Sequence, residues 1–263
     1  MKKVKDIIKV MEKFAPSYLK ESYDNIGLMV GSNDKEVKKI LLALDATLDV
    51  INEAVSKDVD LIITHHPLIF KKPSSITMDS LQGEKIITLI KNDISLYSSH
   101  TNLDSVTGGI NETIAKLIGL DTSSLIHESS SYNEKSCGLG RIQKLNKTIT
   151  LDEMISKVKA VFNVNSLRVV KGKDTVSKVA VINGSGQDFI AKAVKMGADC
   201  IITGDTTYHF ASDYLEMGIS IIDLGHFASE WIVFLKVIEE ATKDIKEVEF
   251  ITSENVRDPY TFV

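Results

Sequence analysis

His65 and His66 are adjacent, followed by Pro67, at the end of the apolar run Leu61-Ile-Ile-Thr64. A neutral imidazole ligates divalent metals through one ring nitrogen and exchanges protons near neutral pH. Two further groups read His-x-x-x-acid: His226-Phe-Ala-Ser-Glu230 and His100-Thr-Asn-Leu-Asp104. On a helix that spacing puts imidazole and carboxylate on one face, one turn apart, within reach of the same ion. His65, His66 and His226 offer imidazoles, and Asp104 and Glu230 carboxylates. With Glu230 bridging, these donors supply two ions and leave positions open for water or substrate, as catalytic sites do. Neighbouring side chains on a regular strand point to opposite faces. His65 and His66 lie past the strand, so each can serve a different ion. A histidine after a strand is more often a hydrogen-bonded structural residue; the adjacent pair and the matched His-x-x-x-acid signatures weigh against that reading here. Mixed nitrogen and oxygen donors suit zinc, iron, manganese or nickel without choosing among them.

Other residues carry weaker signals. His100 reads either as a support behind the ligands or as an acid/base group at the activated water. His209 stands in Gly204-Asp205-Thr-Thr-Tyr208-His209, where the second half of the chain replaces His-His with Gly-Asp. It reads as lining the substrate pocket, with helix capping as the alternative. Asn25, in Asp24-Asn25-Ile-Gly27, is either a turn residue or a substrate contact. Gly184-Ser185-Gly186 can approach a phosphate through backbone N–H groups, although short glycine turns are common. His127 reads as solvent-facing, Arg141 as facing solvent in preference to neutralising an anionic substrate, and Cys200 as a buried strand residue.

These residues need a scaffold. Val4, Ile7, Ile8, Met11 and Phe14 follow helical spacing, and Pro16 closes the run. Apolar runs at 40–44, 61–64 and 94–98 read as buried strands. Asp45, Thr47 or Asp49 caps the helix after the first of them. Residues 68–82 read as a loop. A helix runs from Gly108-Gly109 to Leu117, with Asp104 at its mouth. Residues 121–150 read as a polar connection with one strand near Gly138 to Leu145. Leu151 to Phe162 has helical period.

The pattern then returns. Lys178-Val-Ala-Val-Ile resembles Lys39-Ile-Leu-Leu-Ala, and Ile201-Ile202-Thr203 resembles Ile62-Ile63-Thr64, at a common offset of 139 residues. Ile219-Ser220-Ile221 matches Ile94-Ser95-Leu96 at an offset of 125. The expected fold class is therefore α/β: two similar lobes from an internal duplication, with the metal site in the cleft between them. Residues 1–125 form the first lobe and supply His65, His66 and Asp104. Residues 126–263 hold the connection and the second lobe, and supply His226 and Glu230.

The 263 residues carry a formal net charge of -5 with acids and bases interspersed, which leaves no footprint for nucleic acid. No apolar run is long enough to cross a membrane. Cys137 and Cys200 form no CxxC pair, which suits a reducing cytoplasm.

Tyr23-Asp-Asn-Ile-Gly-Leu, Thr64-His-His-Pro-Leu-Ile-Phe70, His100-Thr-Asn-Leu-Asp104, Ile202-Thr-Gly-Asp205 and Gly225-His226-Phe-Ala-Ser-Glu230 resemble, in order, the motifs of the GTP cyclohydrolase 1 type 2 homologue family, the Nif-three-like dinuclear metal proteins. The resemblance implies a two-lobed α/β subunit, two divalent metal ions per subunit and a ring-shaped homohexamer. It pairs His66 with Asp104 on one ion and His65 with His226 on the other, with Glu230 bridging. It suggests a metal-dependent hydrolase that opens the purine ring of GTP, so the small-molecule substrate is expected to be a nucleotide. A metal-dependent phosphoesterase and a non-enzymatic metal-binding scaffold that binds partners through its ring are the alternatives. Tyr23 stands where many members have Trp, a change expected to affect packing only. Residues 121–177 are too short for the inserted domain of longer members.

Overall fold

A computed structural model describes residues 1–121 and 123–261. The chain divides into two compact units. The first holds Met1–Leu103 and Phe234–Arg257; the second holds, among the described residues, those of 104–233 and 258–261. The division falls after Leu103, whereas the sequence suggested 125/126, and the chain returns to the first unit near its end.

In chain order, the first unit has β1 (Lys2–Lys3), α1 (Val4–Phe14), β2 (Gly27–Val30), β3 (Glu36–Val37) and β4 (Lys39–Ala43). It continues with α2 (Leu48–Ser56), β5 (Leu61–Thr64), α3 (Leu81–Lys91) and β6 (Ser95–Ser98). The short helix α4 (Thr101–Ser105) spans the division. The second unit has α5 (Ile110–Leu117), β7 (Ser124–Tyr132), β8 (Lys135–Thr150), α6 (Leu151–Phe162), β9 (Arg168–Val170) and β10 (Thr175–Ile182). Then come α7 (Ile190–Lys195), β11 (Cys200–Thr203), α8 (Tyr208–Glu216) and β12 (Ser220–Asp223). The long helix α9 (His226–Thr242) begins in the second unit and ends in the first, where β13 (Glu249–Thr252) follows.

The main sheet of the first unit has strand order β13-β4-β5-β6-β2, and that of the second β7-β8-β10-β11-β12-β9. Each contains three adjacent parallel strands flanked by an antiparallel edge strand: β4, β5, β6 with β2, and β10, β11, β12 with β9. The registers repeat as well. Ile40 faces Leu61 and Val179 faces Cys200, the pairs separated by 139 residues; Ser95 and Ser220, separated by 125, face Leu61 and Cys200. An internal duplication accounts for both agreements.

The strands read as unbroken apolar runs because parallel sheets are covered on both faces. Leu41, Ile62 and Leu96 pack with Val50, Ile51, Ile86 and Leu89 from the helices of the first unit. Ala180, Ile201 and Ile221 pack with Ile190, Ala193 and Tyr214 in the second. Of the candidate caps for α2, Thr47 serves, its hydroxyl accepting from the Val50 N–H at 3.2 Å.

The polar stretch after Asp121 departs from expectation. It is a long antiparallel hairpin, β7 with β8, and β8 pairs onward with β10. Its alternating polar residues occupy the open face of an edge ribbon, so composition alone resembled a loop. Arg141, expected at the surface, is 3% exposed. Its guanidinium donates to the Gly138 and Gly140 carbonyls and lies 3.5 Å from Glu112. Those acceptors make its burial tolerable. His127 packs its ring against Phe189 and is only part-exposed. Cys200 is buried on β11, as expected.

Glu53 on α2 ties the end of the chain to the first unit. Its carboxylate accepts from Lys57 Nζ at 2.7 Å, the Glu254 N–H at 3.0 Å, Asn255 Nδ2 at 3.0 Å and the Ser253 hydroxyl. Burial alone pushes this carboxyl up; the hydrogen bonds, led by Lys57, outweigh it and hold the group down to about 2. The unfolded chain, with an ordinary carboxyl near 4.5, therefore takes up the proton first as pH falls. The stabilisation is complete above about 4.5 and disappears as pH drops toward 2. Glu53→Gln is expected to cost about 2 kcal/mol at pH 7. Denaturant melts of both proteins should converge on acidification through that window; a pH-independent gap would contradict the assignment.

Candidate metal centre

In the first unit, β5 delivers its histidines to the carboxyl edge of the sheet. The Thr64 hydroxyl donates to the His66 carbonyl at 2.8 Å and meets Ser98 Oγ at 2.7 Å, which fixes the turn after the strand. His65 is fully buried, and His66 and His100 are partly so. His65, His66 and His100 each offer a ligand atom within 4.8 Å of the others. Asn102 pins the His100 turn: its Oδ1 accepts from the His100 N–H at 3.0 Å, and its Nδ2 donates to the Ala15 carbonyl at 2.7 Å.

All three rings are held in the same way. His65 Nδ1 lies 2.9 Å from the Ser99 carbonyl, His66 Nδ1 2.9 Å from Asp45 Oδ1, and His100 Nδ1 2.9 Å from Asp24 Oδ1. A carbonyl or carboxylate oxygen can only accept, so each Nδ1 carries the proton and each Nε2 presents a lone pair. Asp24 is buried and also accepts from the Thr101 N–H and hydroxyl. Burial pushes its carboxyl up, and the bonds from His100 and Thr101 more than reverse this, to about 2. It is a fixed anion behind His100.

In the second unit, Asp104 sits on α4, and His226 and Glu230 occupy the first turns of α9. His226 Nδ1 lies 2.8 Å from Asp205 Oδ2, the same arrangement again. Its Nε2 is 3.1 Å from Glu230 Oε2. With the ring proton on Nδ1, Nε2 and the carboxylate oxygen are both acceptors, a pair that a shared cation or a second ring proton would join. Two ligands each roughly 2.1 Å from one metal stand about 3 to 3.5 Å apart, so the spacing fits a shared ion. Asp223, itself buried, accepts from the N–H groups of Thr206 and Gly225 at 2.9 Å each, and so holds the Asp205 loop beside the His226 turn.

Asn183, at the end of β10, bonds both carboxylates. Its Nδ2 donates to Asp104 Oδ1 at 3.0 Å and Glu230 Oε1 at 2.9 Å. Asn111 steadies it, accepting from the Asn183 N–H at 3.1 Å. Next in sequence, Gly184 has φ +55°, and a Cβ there would sit 2.4 Å from Glu230 Oε1. A side chain there would strain the backbone and displace the carboxylate. The Gly184-Ser185-Gly186 turn thus abuts Glu230.

Within the first unit His65, His66 and His100 come together; within the second Asp104, His226 and Glu230 do. His209 is exposed on α8, its ring 5.4 Å from that of Tyr208. Asn25 is exposed and donates to the Ile69 carbonyl. Tyr23 is largely exposed, its ring tilted against that of Phe70. The residues that sequence reasoning missed are the supports: Asp24, Asp45, Asp205 and Asn183. Their one local signal is position, since Asp45, Asn183 and Asp205 each follow closely on a parallel strand.

A family model for Duf34/NIF3 (NGG1p interacting factor 3) matches residues 2–259. The chain belongs to the DUF34/NIF3 family. A family relative, the GTP cyclohydrolase 1 type 2 homolog of Clostridium perfringens, is 51% identical over 263 residues, covering 99% of this chain and 100% of its own. That of Clostridium acetobutylicum is 49% identical, covering 99% and 98%. Among solved structures, the Bacillus cereus protein related to NIF3 aligns with a TM-score of 0.88 at 27% identity, covering 100% of this chain and 99% of that one. Reduced HcgD from Methanocaldococcus jannaschii aligns with a TM-score of 0.83 at 36% identity, covering 96% and 98%. These likenesses bear out the α/β fold of two similar lobes. Among the described residues, no helix is long and apolar enough to cross a membrane.

Supports behind metal ligands typically contribute 10- to 100-fold in affinity. Asn183→Ala is expected to weaken metal binding by roughly tenfold or more while leaving the far-ultraviolet circular dichroism unchanged. Competition against a chromophoric chelator measures this; wild-type affinity in the variant would remove Asn183 from the site.

Proposed function

We propose that the protein is a metal-dependent hydrolase in which both donor sets serve one pair of divalent ions. The observation that carries this reading is the shared state of the histidines: His65, His66, His100 and His226 each have Nδ1 committed to an oxygen acceptor. That is the arrangement behind metal-bound and proton-transferring imidazoles. His65, His66 and His226 would hold the ions through Nε2, with Asp104 and Glu230 supplying oxygens. Glu230 suits a bridge because its two oxygens face different neighbours, Asn183 and His226. Bound there, zinc, iron, manganese or nickel would lower the pKa of a water and polarise the group it attacks.

The chain's own residues do the rest. His100, held by Asp24, takes or returns the proton at Nε2, and the ionised Asp24 stabilises the imidazolium that forms. Five donors for two ions leave positions for substrate. The family names favour a nucleotide, with water adding at C8 of the guanine ring and His100 passing the proton to the departing ring nitrogen. The resemblance adds a homohexamer.

Elemental analysis of untagged protein should give two ions per chain at saturation; a plateau at one would remove the dinuclear centre. Metal-loaded protein should turn over GTP or a member of a phosphoester panel, the latter identifying a phosphoesterase. Chelation, His65→Ala and Glu230→Ala should each lower the rate at least 100-fold, a magnitude in keeping with loss of metal activation. Turnover that survives both substitutions sinks the site. Stable partner complexes without turnover on any compound would instead support a binding scaffold.

A further inference from the structure

Two aromatic rings on segments that adjoin the first unit's histidines and their supports in sequence take no part in the core. Tyr23 is 62% exposed and Phe70 42%, their ring centroids 6.4 Å apart and their planes at 58°. Each ring belongs to a segment that already serves a histidine. Tyr23 directly precedes Asp24, whose carboxylate holds His100. Phe70 lies four residues past His66 in the same turn.

The rings are held in place despite their exposure. Asn25 Nδ2 donates to the Ile69 carbonyl, lacing the two segments together. Gln82 Nε2 donates to the Leu68 carbonyl at 2.9 Å, and the Ile69 N–H approaches Met29 Sδ at 3.4 Å. Preorganisation of this kind lowers the entropy cost of binding. Exposed Lys71 and Lys72 follow Phe70, a local positive charge in a chain of net charge -5. A protein partner needs about 800 Å² per side, far more than two ring faces provide. A single planar ring matches their size, and an anion matches the lysines.

We propose that Tyr23 and Phe70 form a stacking wall for the planar heteroaromatic ring of the substrate, with Lys71 and Lys72 receiving its phosphate groups. This rests on the hydrolase reading, since the wall presents its ligand to the same histidines. Stacking accepts any nucleobase face, so the wall demands a ring without choosing which.

The test uses the metal-loaded, full-length protein and equilibrium binding of two probes, GTP and inorganic triphosphate. Tyr23→Ala and Phe70→Ala are each expected to weaken GTP about tenfold. Both should leave triphosphate within about twofold, as ring stacking does not involve it. Tyr23→Trp should retain or tighten GTP binding, which separates loss of the ring from misfolding. The Lys71→Ala, Lys72→Ala double variant should weaken both probes. Wild-type GTP affinity in the alanine variants, equal loss of both probes, or no GTP binding by wild type at millimolar concentration overturns the wall. So does a smaller particle in sedimentation with GTP affinity intact, which would give the rings to a second copy of the chain. Ring-dependent GTP binding without turnover of any compound leaves the wall standing and removes the hydrolase; turnover with unchanged KM in both alanine variants does the reverse.

Discussion

Every histidine at the candidate site depends on an oxygen placed to accept from its Nδ1. Without that acceptor an imidazole samples both tautomers and several ring orientations, and its Nε2 is not a reliable ligand. The acceptors are Ser99 O, Asp45, Asp24 and Asp205. The sheets make this pairing possible. Parallel strands end at a common edge, and neighbours lie about 4.8 Å apart. Asp45 lies just beyond the end of β4, next to β5, which His65-His66 follow. Asp205 lies just beyond the end of β11, next to β12, beyond which His226 begins α9. A carboxylate beyond one strand and an imidazole beyond its neighbour therefore meet in both units.

The duplication kept that geometry and exchanged the chemistry at the strand ends. Backbone registers repeat position for position, yet His65-His66 corresponds to Gly204-Asp205. Sterics explain part of the asymmetry. A Cβ at Gly204 would sit 3.0 Å from the Gly225 carbonyl carbon and 3.1 Å from the His226 N–H nitrogen. The turn into α9 passes too close for a side chain at that strand end. The second unit therefore carries its imidazole one strand later, on the helix, and uses the neighbouring Asp205 as the acceptor. A candidate ligand position in one copy is the position of a support in the other.

The parallel core was legible in the sequence, and the candidate donors stood out there, because their signals are local. Apolar runs mark β4, β5 and β6, and four-residue spacing marks His226 with Glu230. The supports were not legible, since they act across long stretches of chain. Asp24 reaches His100 over 76 residues, and Asn183 reaches Asp104 over 79. Nothing in the neighbourhood of either residue announces its partner. The β7–β8 hairpin was hidden for another reason: Ser, His, Glu and Lys fill its strands, and a ribbon with one open face needs little apolar sequence. Arg141 was misread because a charge on a strand usually means solvent; its tolerance depends on two carbonyls and Glu112, which only the folded hairpin and α5 supply.

The second unit's donor set also sets a thermodynamic condition on the fold. Asp104 and Glu230 are both buried, at 6% and 2% exposure, and the same amide group bonds each of them. Bringing two carboxylates out of water side by side costs several kcal/mol per charge unless a compensating charge joins them. Asn183 orients the pair, but an amide carries no net charge and cannot neutralise it. His226 Nε2 lies 3.1 Å from Glu230 Oε2 and its Nδ1–H is directed at Asp205, so an ion pair through Nε2 takes a doubly protonated ring. A divalent ion meets the demand without that proton. A divalent ion held by this set would couple its binding to the stability of the turn between β12 and α9.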